Sequence, residues 1–127
     1  RYEIVTKYVK ALKATTREEV AKIRASGQAS PISIMREGKA IRSLKQWMRS
    51  DADQLSAEHR ASLSETLSHS KVLENLYTLR LDLAKIWERS TLSKEELVAK
   101  LDDWCKRAEA TGIAQLQQFT RQLKSYA

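Results

Sequence analysis

The sequence predicts an all-α protein, built from five to six amphipathic helices in a mainly antiparallel bundle. The chain has 127 residues with only three Gly and one Pro, too few for the many tight turns of a sandwich or barrel. Apolar residues recur at helical spacing along most of the chain, and no run alternates with the period of a half-buried strand. This length has room for one domain, residues 1–127. Within it we expect a basic amphipathic helix and hinge over 1–30 and a helical bundle over 31–127.

The first predicted helix begins at Tyr2 and reaches Leu12, with lysines opposite its apolar side. Two continuations are open. The helix runs on to Ile23, or Thr16 and Glu19 form a capping box that starts a new helix there.

The segment 26–31 is rich in Ser and contains a Gly and the single Pro, so it predicts a hinge. The second predicted helix covers about Ile32 to Arg49, with Gly38 as a weak point. Its apolar side is predicted to comprise Ile34, Ile41, Leu44, Trp47 and Met48. Ser56 is predicted to cap a short third helix that carries Leu63 and Leu67, and residues 68–70 break the pattern.

The fourth predicted helix has the broadest apolar stripe and is expected at the centre of the core. The stripe consists of Val72, Leu73, Leu76, Tyr77, Leu79, Leu83, Ile86 and Trp87. Ser93 and Glu96 form a capping box before the fifth helix, and Gly112 suits the left-handed position that ends it. The stripe of the fifth helix is Leu97, Val98, Leu101, Trp104, Cys105 and Ala108. A last helix presents Ile113, Leu116, Phe119, Thr120 and Leu123.

The net charge of +7 is concentrated in the first half of the chain. Residues 1–50 contain twelve Lys and Arg against four Asp and Glu, whereas residues 51–127 contain eleven against twelve. This imbalance predicts an anionic surface near the first half, either lipid headgroups or nucleic acid, with a solvated basic face as the alternative. The candidate contacts with that surface are Lys7, Lys10, Lys13, Arg17, Lys22, Arg24, Lys39, Arg42, Lys45 and Arg49.

The sequence predicts no catalytic, cofactor-binding or metal-binding residue. His59 and His69 lie too far apart for a ligand pair, and no Cys or His stands at metal-ligand spacing. Asp102 and Asp103 are adjacent and would diverge on a helix. Cys105 falls in an apolar stripe, so we interpret it as a packing residue of a reducing compartment. The glycines form no phosphate-binding loop.

Four residues are predicted to have structural roles. Trp87 and Trp104 lie in apolar stripes and are expected in the core, and Gly112 is expected to close a helix. Arg80 falls within the stripe of the fourth helix. A buried charge is costly, so Arg80 needs a carboxylate, an aromatic face or a path to solvent, and recognition of an acidic partner is the alternative.

Residues 73–81, 86–87, 104–113, Phe119 and residues 123–126 resemble the C-terminal tail of bacterial membrane acyl-CoA desaturases. The opening residues 1–5 are similar to the segment that follows the membrane-embedded catalytic part of that family. The resemblance implies a non-catalytic cytoplasmic domain at the inner face of the bacterial inner membrane. Its partners would be anionic inner-leaflet lipid and the membrane domain of the parent enzyme, whose di-iron centre is held by histidine boxes that this chain lacks. The start at Arg1 rather than Met likewise suggests a piece of a longer protein.

The chain from Leu55 onward is also similar to a helical region of insertion-sequence transposases, notably at residues 109–113 and 119–123. Transposases of that group cut DNA with an Asp/Asp/Glu triad on a ribonuclease-H-like sheet. The sequence predicts no such sheet, so the resemblance implies a helical insert. A membrane-apposed or protein-interaction module of a desaturase is the leading hypothesis. The alternatives are a nucleic-acid-associated transposase segment and a dimerisation module that pairs with a second copy.

Overall fold

The computed structural model describes residues 2–88 and 92–125, with the side chains of 2, 3, 52, 87 and 88 outside that description. Its α-helices are α1 (Tyr2–Ala11), α2 (Lys13–Ala25), α3 (Glu37–Arg49), α4 (Ala57–Ser68), α5 (Lys71–Glu88), α6 (Lys94–Ala110) and α7 (Ala114–Lys124). A short 3-10 helix covers Ala52–Gln54. The described residues include no strand, so the all-α prediction is confirmed. The described helices number seven rather than five to six.

The additional helix results from a break at Leu12, which separates α1 from α2. The break precedes Thr16, so the predicted capping box does not start a helix there. Glu19 instead lies buried in the middle of α2. Its Oε1 atom accepts a hydrogen bond from the Ser70 hydroxyl at 2.9 Å.

The chain divides into two compact units. The terminal unit consists of Arg1–Leu12 and Thr78–Ala127, and the central unit consists of Lys13–Tyr77. Helix α5 contributes residues to both units, because the division falls between Tyr77 and Thr78. The units meet after Leu12 and after Tyr77, whereas the predicted boundary between the first helix with its hinge and the bundle lies after residue 30. A single domain over 1–127 stays a prediction.

Three aromatic side chains form the core of the terminal unit. Tyr8 of α1, Trp104 of α6 and Phe119 of α7 meet edge to face, with ring centroids 5.2 to 5.9 Å apart. All three side chains are buried. Edge-to-face contacts of this kind add to the stabilisation from burial, so this aromatic cluster fixes α1 against α6 and α7.

Arg80 is buried in the terminal unit with only 6% of its surface exposed. Its positive charge acts on Tyr8. Burial raises the pKa of the Tyr8 phenol, and the nearby Arg80 charge lowers it in part.

The central unit is built by α2, α3, α4 and the first turns of α5. Its largest fully buried side chains include Val20, Ile32, Leu44 and Thr66. Ser56 caps α4 by accepting from the His59 amide at 3.1 Å, as predicted. Ser70 accepts from the Leu73 amide at 3.1 Å at the start of α5.

Local sequence patterns place several residues wrongly. Helix α3 begins at Glu37 rather than near residue 32, and Ile34 lies before it with 88% of its surface exposed. Val98 of α6 is 42% exposed rather than buried. The other predicted stripe residues of α3, Ile41, Leu44, Trp47 and Met48, are buried. The predicted core position of Trp87 lies outside the described side chains.

Candidate functional site

Helix α3 has one buried side and one basic side. Ala40, Ile41, Leu44, Trp47 and Met48 occupy the buried side. The opposite side carries the α3 basic face, which we define as Lys39, Arg42, Lys45 and Arg49. These residues follow each other at intervals of three or four, which places them on one side of a helix. The acidic residue of α3, Glu37, lies in the first turn.

The Arg42 side chain lies over the first turn of α3. Its Nη1 atom is 3.5 Å from the position that a Cβ atom would take at Gly38. A Cβ atom at Gly38 would therefore be in ordinary van der Waals contact with the guanidinium. The α3 basic face therefore begins close to the loop that precedes α3.

That loop is held by an arginine from α2. The Nη1 atom of Arg24 donates to the carbonyl oxygen of Ile32 at 3.0 Å and also donates to the carbonyl oxygen of Met35. The Ser30 and Ser33 hydroxyls are 2.7 Å apart, and the Ser33 hydroxyl donates to a backbone carbonyl at 3.1 Å. These bonds fix the backbone of residues 28–36, which we call the Ile34 loop.

The predicted anion contacts on α2 have different environments. Lys13 and Arg17 are exposed. Lys22 forms an ion pair with Glu19 at 3.1 Å. Arg24 donates hydrogen bonds to the backbone of the Ile34 loop. We therefore no longer count it among the predicted contacts with an anionic surface. Arg36 is exposed directly before α3 but is missing from the predicted contacts. It could have been included from its charge and its distance of three residues from Lys39.

The remaining predicted contacts lie in the terminal unit. Lys7 and Lys10 are exposed on α1 and line a shallow groove beside α7. The α7 side of the groove includes Gln115, Gln118 and Gln122. The groove thus combines two ammonium groups with neutral amides.

Other candidate chemistry is sparse in the described part of the chain. Cys105 is buried, and burial raises the pKa of its thiol, which disfavours a reactive thiolate. No three His, Cys, Asp or Glu side chains among the described residues are grouped to hold a metal ion. None of the described helices is long and apolar enough to cross a bilayer.

The structure thus defines an all-helical chain with a strongly basic face on one helix. The family model for transposases of the ISL3 type matches residues 1–127. The chain belongs to this transposase family. It is also similar to the transposase for insertion sequence element IS1001 of Bordetella parapertussis, with 27% identity over 128 residues. That match covers 98% of this chain but 29% of the relative, so the chain spans less than a third of its length. No solved structure matches the chain.

These matches correct the leading hypothesis. The resemblance to insertion-sequence transposases is supported over the whole chain, and nothing supports a desaturase tail. A desaturase parent, with its di-iron centre and membrane domain, is therefore no longer proposed. Anionic lipid, a second copy of the chain and a cytoplasmic location stay predictions.

Proposed function

We propose that this chain is a non-catalytic helical segment of an insertion-sequence transposase that contacts DNA through the α3 basic face. The observation that carries the proposal is the alignment of Lys39, Arg42, Lys45 and Arg49 on one side of a helix. The opposite side of α3 anchors in the core of the central unit. The cations are therefore presented on a rigid element. Because the chain belongs to a transposase family, DNA is the polyanion that we expect this face to contact.

The dimensions of the basic face suit a DNA backbone. Lys39 and Arg49 are ten residues apart in one helix, which corresponds to about 15 Å at a rise of 1.5 Å per residue. This length is comparable with the width of the major groove, about 12 Å. The face could thus contact phosphates on both sides of a groove, and phosphate contacts position a protein without reading sequence.

Strand cleavage is not part of the role proposed for this segment. The resemblance to transposases implies an acidic triad on a sheet, and the described residues provide neither a strand nor a cluster of three acidic side chains. The role proposed for the segment is to hold DNA.

The test is fluorescence anisotropy of a labelled duplex, titrated with the 127-residue chain over a series of salt concentrations. Each phosphate contact contributes about 0.9 to the slope of log K against log salt concentration. The double variant Lys39→Gln/Arg42→Gln is expected to bind more weakly and to reduce the slope by about 1.8. Lys7→Gln/Lys10→Gln tests the α1 lysines in the same way.

The matched control is Lys94→Gln/Lys100→Gln, which removes the same charge from exposed positions of α6. It should leave the slope nearly unchanged. Equal losses in the α3 variant and in this control would show that only net charge matters and would overturn the role of α3. Co-sedimentation with anionic liposomes runs in parallel. Salt-sensitive liposome binding without duplex binding would overturn the DNA proposal in favour of lipid.

A further inference from the structure

The most exposed large apolar side chain of the described residues lies next to the α3 basic face. Ile34 is 88% exposed, whereas Val98, the other large apolar side chain that is exposed in the described part of the chain, is 42% exposed. Its neighbour Ile32 is fully buried. An exposed apolar side chain gains free energy when a partner buries it, so Ile34 is available for a contact with another molecule.

The backbone that carries Ile34 is fixed in place. Arg24 donates to the carbonyl oxygens of Ile32 and Met35, which lie on either side of Ile34. The pair of hydroxyls at Ser30 and Ser33 closes the same loop. Because the loop is already ordered, less conformational entropy is lost when the side chain is buried by a partner.

The charges around Ile34 favour nucleic acid over a protein pocket as that partner. The exposed cations Arg36, Lys39 and Arg42 follow Ile34 within eight residues, and the Arg42 guanidinium lies over the first turn of α3. Glu37 is the single acidic residue between Arg24 and Arg49, so cations outnumber carboxylates in this stretch of the sequence. An apolar tip flanked by cations matches the arrangement in which a protein neutralises phosphates and inserts an apolar wedge between base pairs.

We propose that Ile34 is a wedge that inserts from the minor groove between two stacked base pairs of the DNA held by the α3 basic face. This inference rests on the proposed function, because the cations must first bring the loop to the duplex. Insertion unstacks a base step and bends the DNA, which costs less at flexible pyrimidine–purine steps such as TA.

The test uses the 127-residue chain and a duplex of alternating T and A in which several adenines are replaced by 2-aminopurine, whose fluorescence rises when it is unstacked. The native chain is expected to increase this fluorescence. Ile34→Ser should abolish the increase and weaken binding about tenfold, through loss of the buried apolar area. The slope of affinity against salt should stay the same, since no phosphate contact is removed. Ile34→Met should retain the signal.

Val98→Ser is the matched control, because it removes an exposed apolar side chain far along the sequence from the loop. It should behave as the native chain. Circular dichroism checks that each variant is folded.

If the native chain does not bind the duplex, the proposed function fails and this inference with it. If binding depends on Lys39 and Arg42 but Ile34→Ser leaves affinity and fluorescence unchanged, the wedge alone is overturned. Insertion is also overturned if Ile34→Ser binds more weakly but the native complex shows no rise in 2-aminopurine fluorescence.

Discussion

The indole N–H of Trp104 on α6 donates to the backbone carbonyl oxygen of Leu79 on α5 at 2.9 Å. Trp104 is fully buried and its ring also meets Tyr8 and Phe119. One side chain therefore links α6 to three other helices of the terminal unit. A buried indole needs a partner for its N–H group, and Leu79 supplies it.

Trp104→Ala is expected to lower the free energy of unfolding by about 3–5 kcal/mol, because it removes a large buried ring and leaves a cavity. Trp104→Phe keeps an aromatic ring and should cost less. Urea titration followed by circular dichroism measures both. Val98→Ala, at an exposed position of the same helix, should change stability by no more than about 0.5 kcal/mol. A loss below about 1 kcal/mol for Trp104→Ala would contradict the role of the cluster.

Ser70→Ala is expected to destabilise the chain by about 1–3 kcal/mol. The Ser70 hydroxyl accepts from the Leu73 amide at the start of α5 and donates to the buried Glu19 carboxylate. Its removal leaves both groups without this partner. Urea unfolding provides the measurement. The exposed Ser64 of α4 offers the control Ser64→Ala, which should be close to neutral. Equal effects of the two substitutions would show that the buried bond contributes nothing.

Two glycines should respond in opposite directions to replacement by alanine. Gly112 has a φ of 74°, and a Cβ there would meet no atom, so Gly112→Ala should destabilise by about 1–2 kcal/mol through backbone strain alone. Gly38 lies in the first turn of α3, where a Cβ would make an ordinary contact with Arg42. Gly38→Ala should stabilise by up to about 1 kcal/mol. Thermal unfolding compares them, and a shift of the same sign in both would contradict this assignment.

Acid is expected to remove the stabilising effect of Glu109. Hydrogen bonds from Lys124 at 3.0 Å and from Thr120 at 3.1 Å hold the pKa of the Glu109 carboxyl below its ordinary value. A lowered pKa in the folded state means that the carboxylate stabilises the fold above the ordinary glutamate pKa of about 4.3. This stabilisation is lost as the pH falls through the lowered value.

The measurement compares urea unfolding of the native chain with that of Glu109→Gln from pH 7 to pH 3. The native chain should be the more stable at pH 7, and the difference should shrink below about pH 4.3. A difference that is constant or grows on acidification would show that the carboxylate is not stabilised in the fold.

Local signals in the sequence predict most of the helices. Ser56 and Ser93 cap α4 and α6 as their spacing indicates, and Gly27 and Gly112 have positive φ at helix ends. Val98 shows the limit of this approach. It shares the apolar period of α6, yet only Trp104, Cys105 and Ala108, near the C-terminal end of that helix, are buried. Periodicity identifies a side of a helix but not how far along it a partner extends.

The candidate site was also predictable only in part, because a single sequence shows local spacing but not contacts between distant positions. The α3 basic face follows from the spacing of its residues, which is a local property. Ile34 also fits the apolar period of α3, but the bonds from Arg24 to residues eight and eleven positions later keep the loop out of the helix. Such contacts between distant positions leave no mark in a single sequence.

The hydrogen bonds from Arg24 to the Ile34 loop also affect which amino-acid substitutions the loop can accept. Arg24 binds carbonyl oxygens of the main chain, and every amino acid offers the same carbonyl. The side chain at position 34 takes no part in these bonds and faces solvent. Substitutions at position 34 can therefore alter what the loop contacts while its backbone is preserved. A substitution at position 34 should therefore cost little stability, and directed evolution of new binding preferences would best begin there.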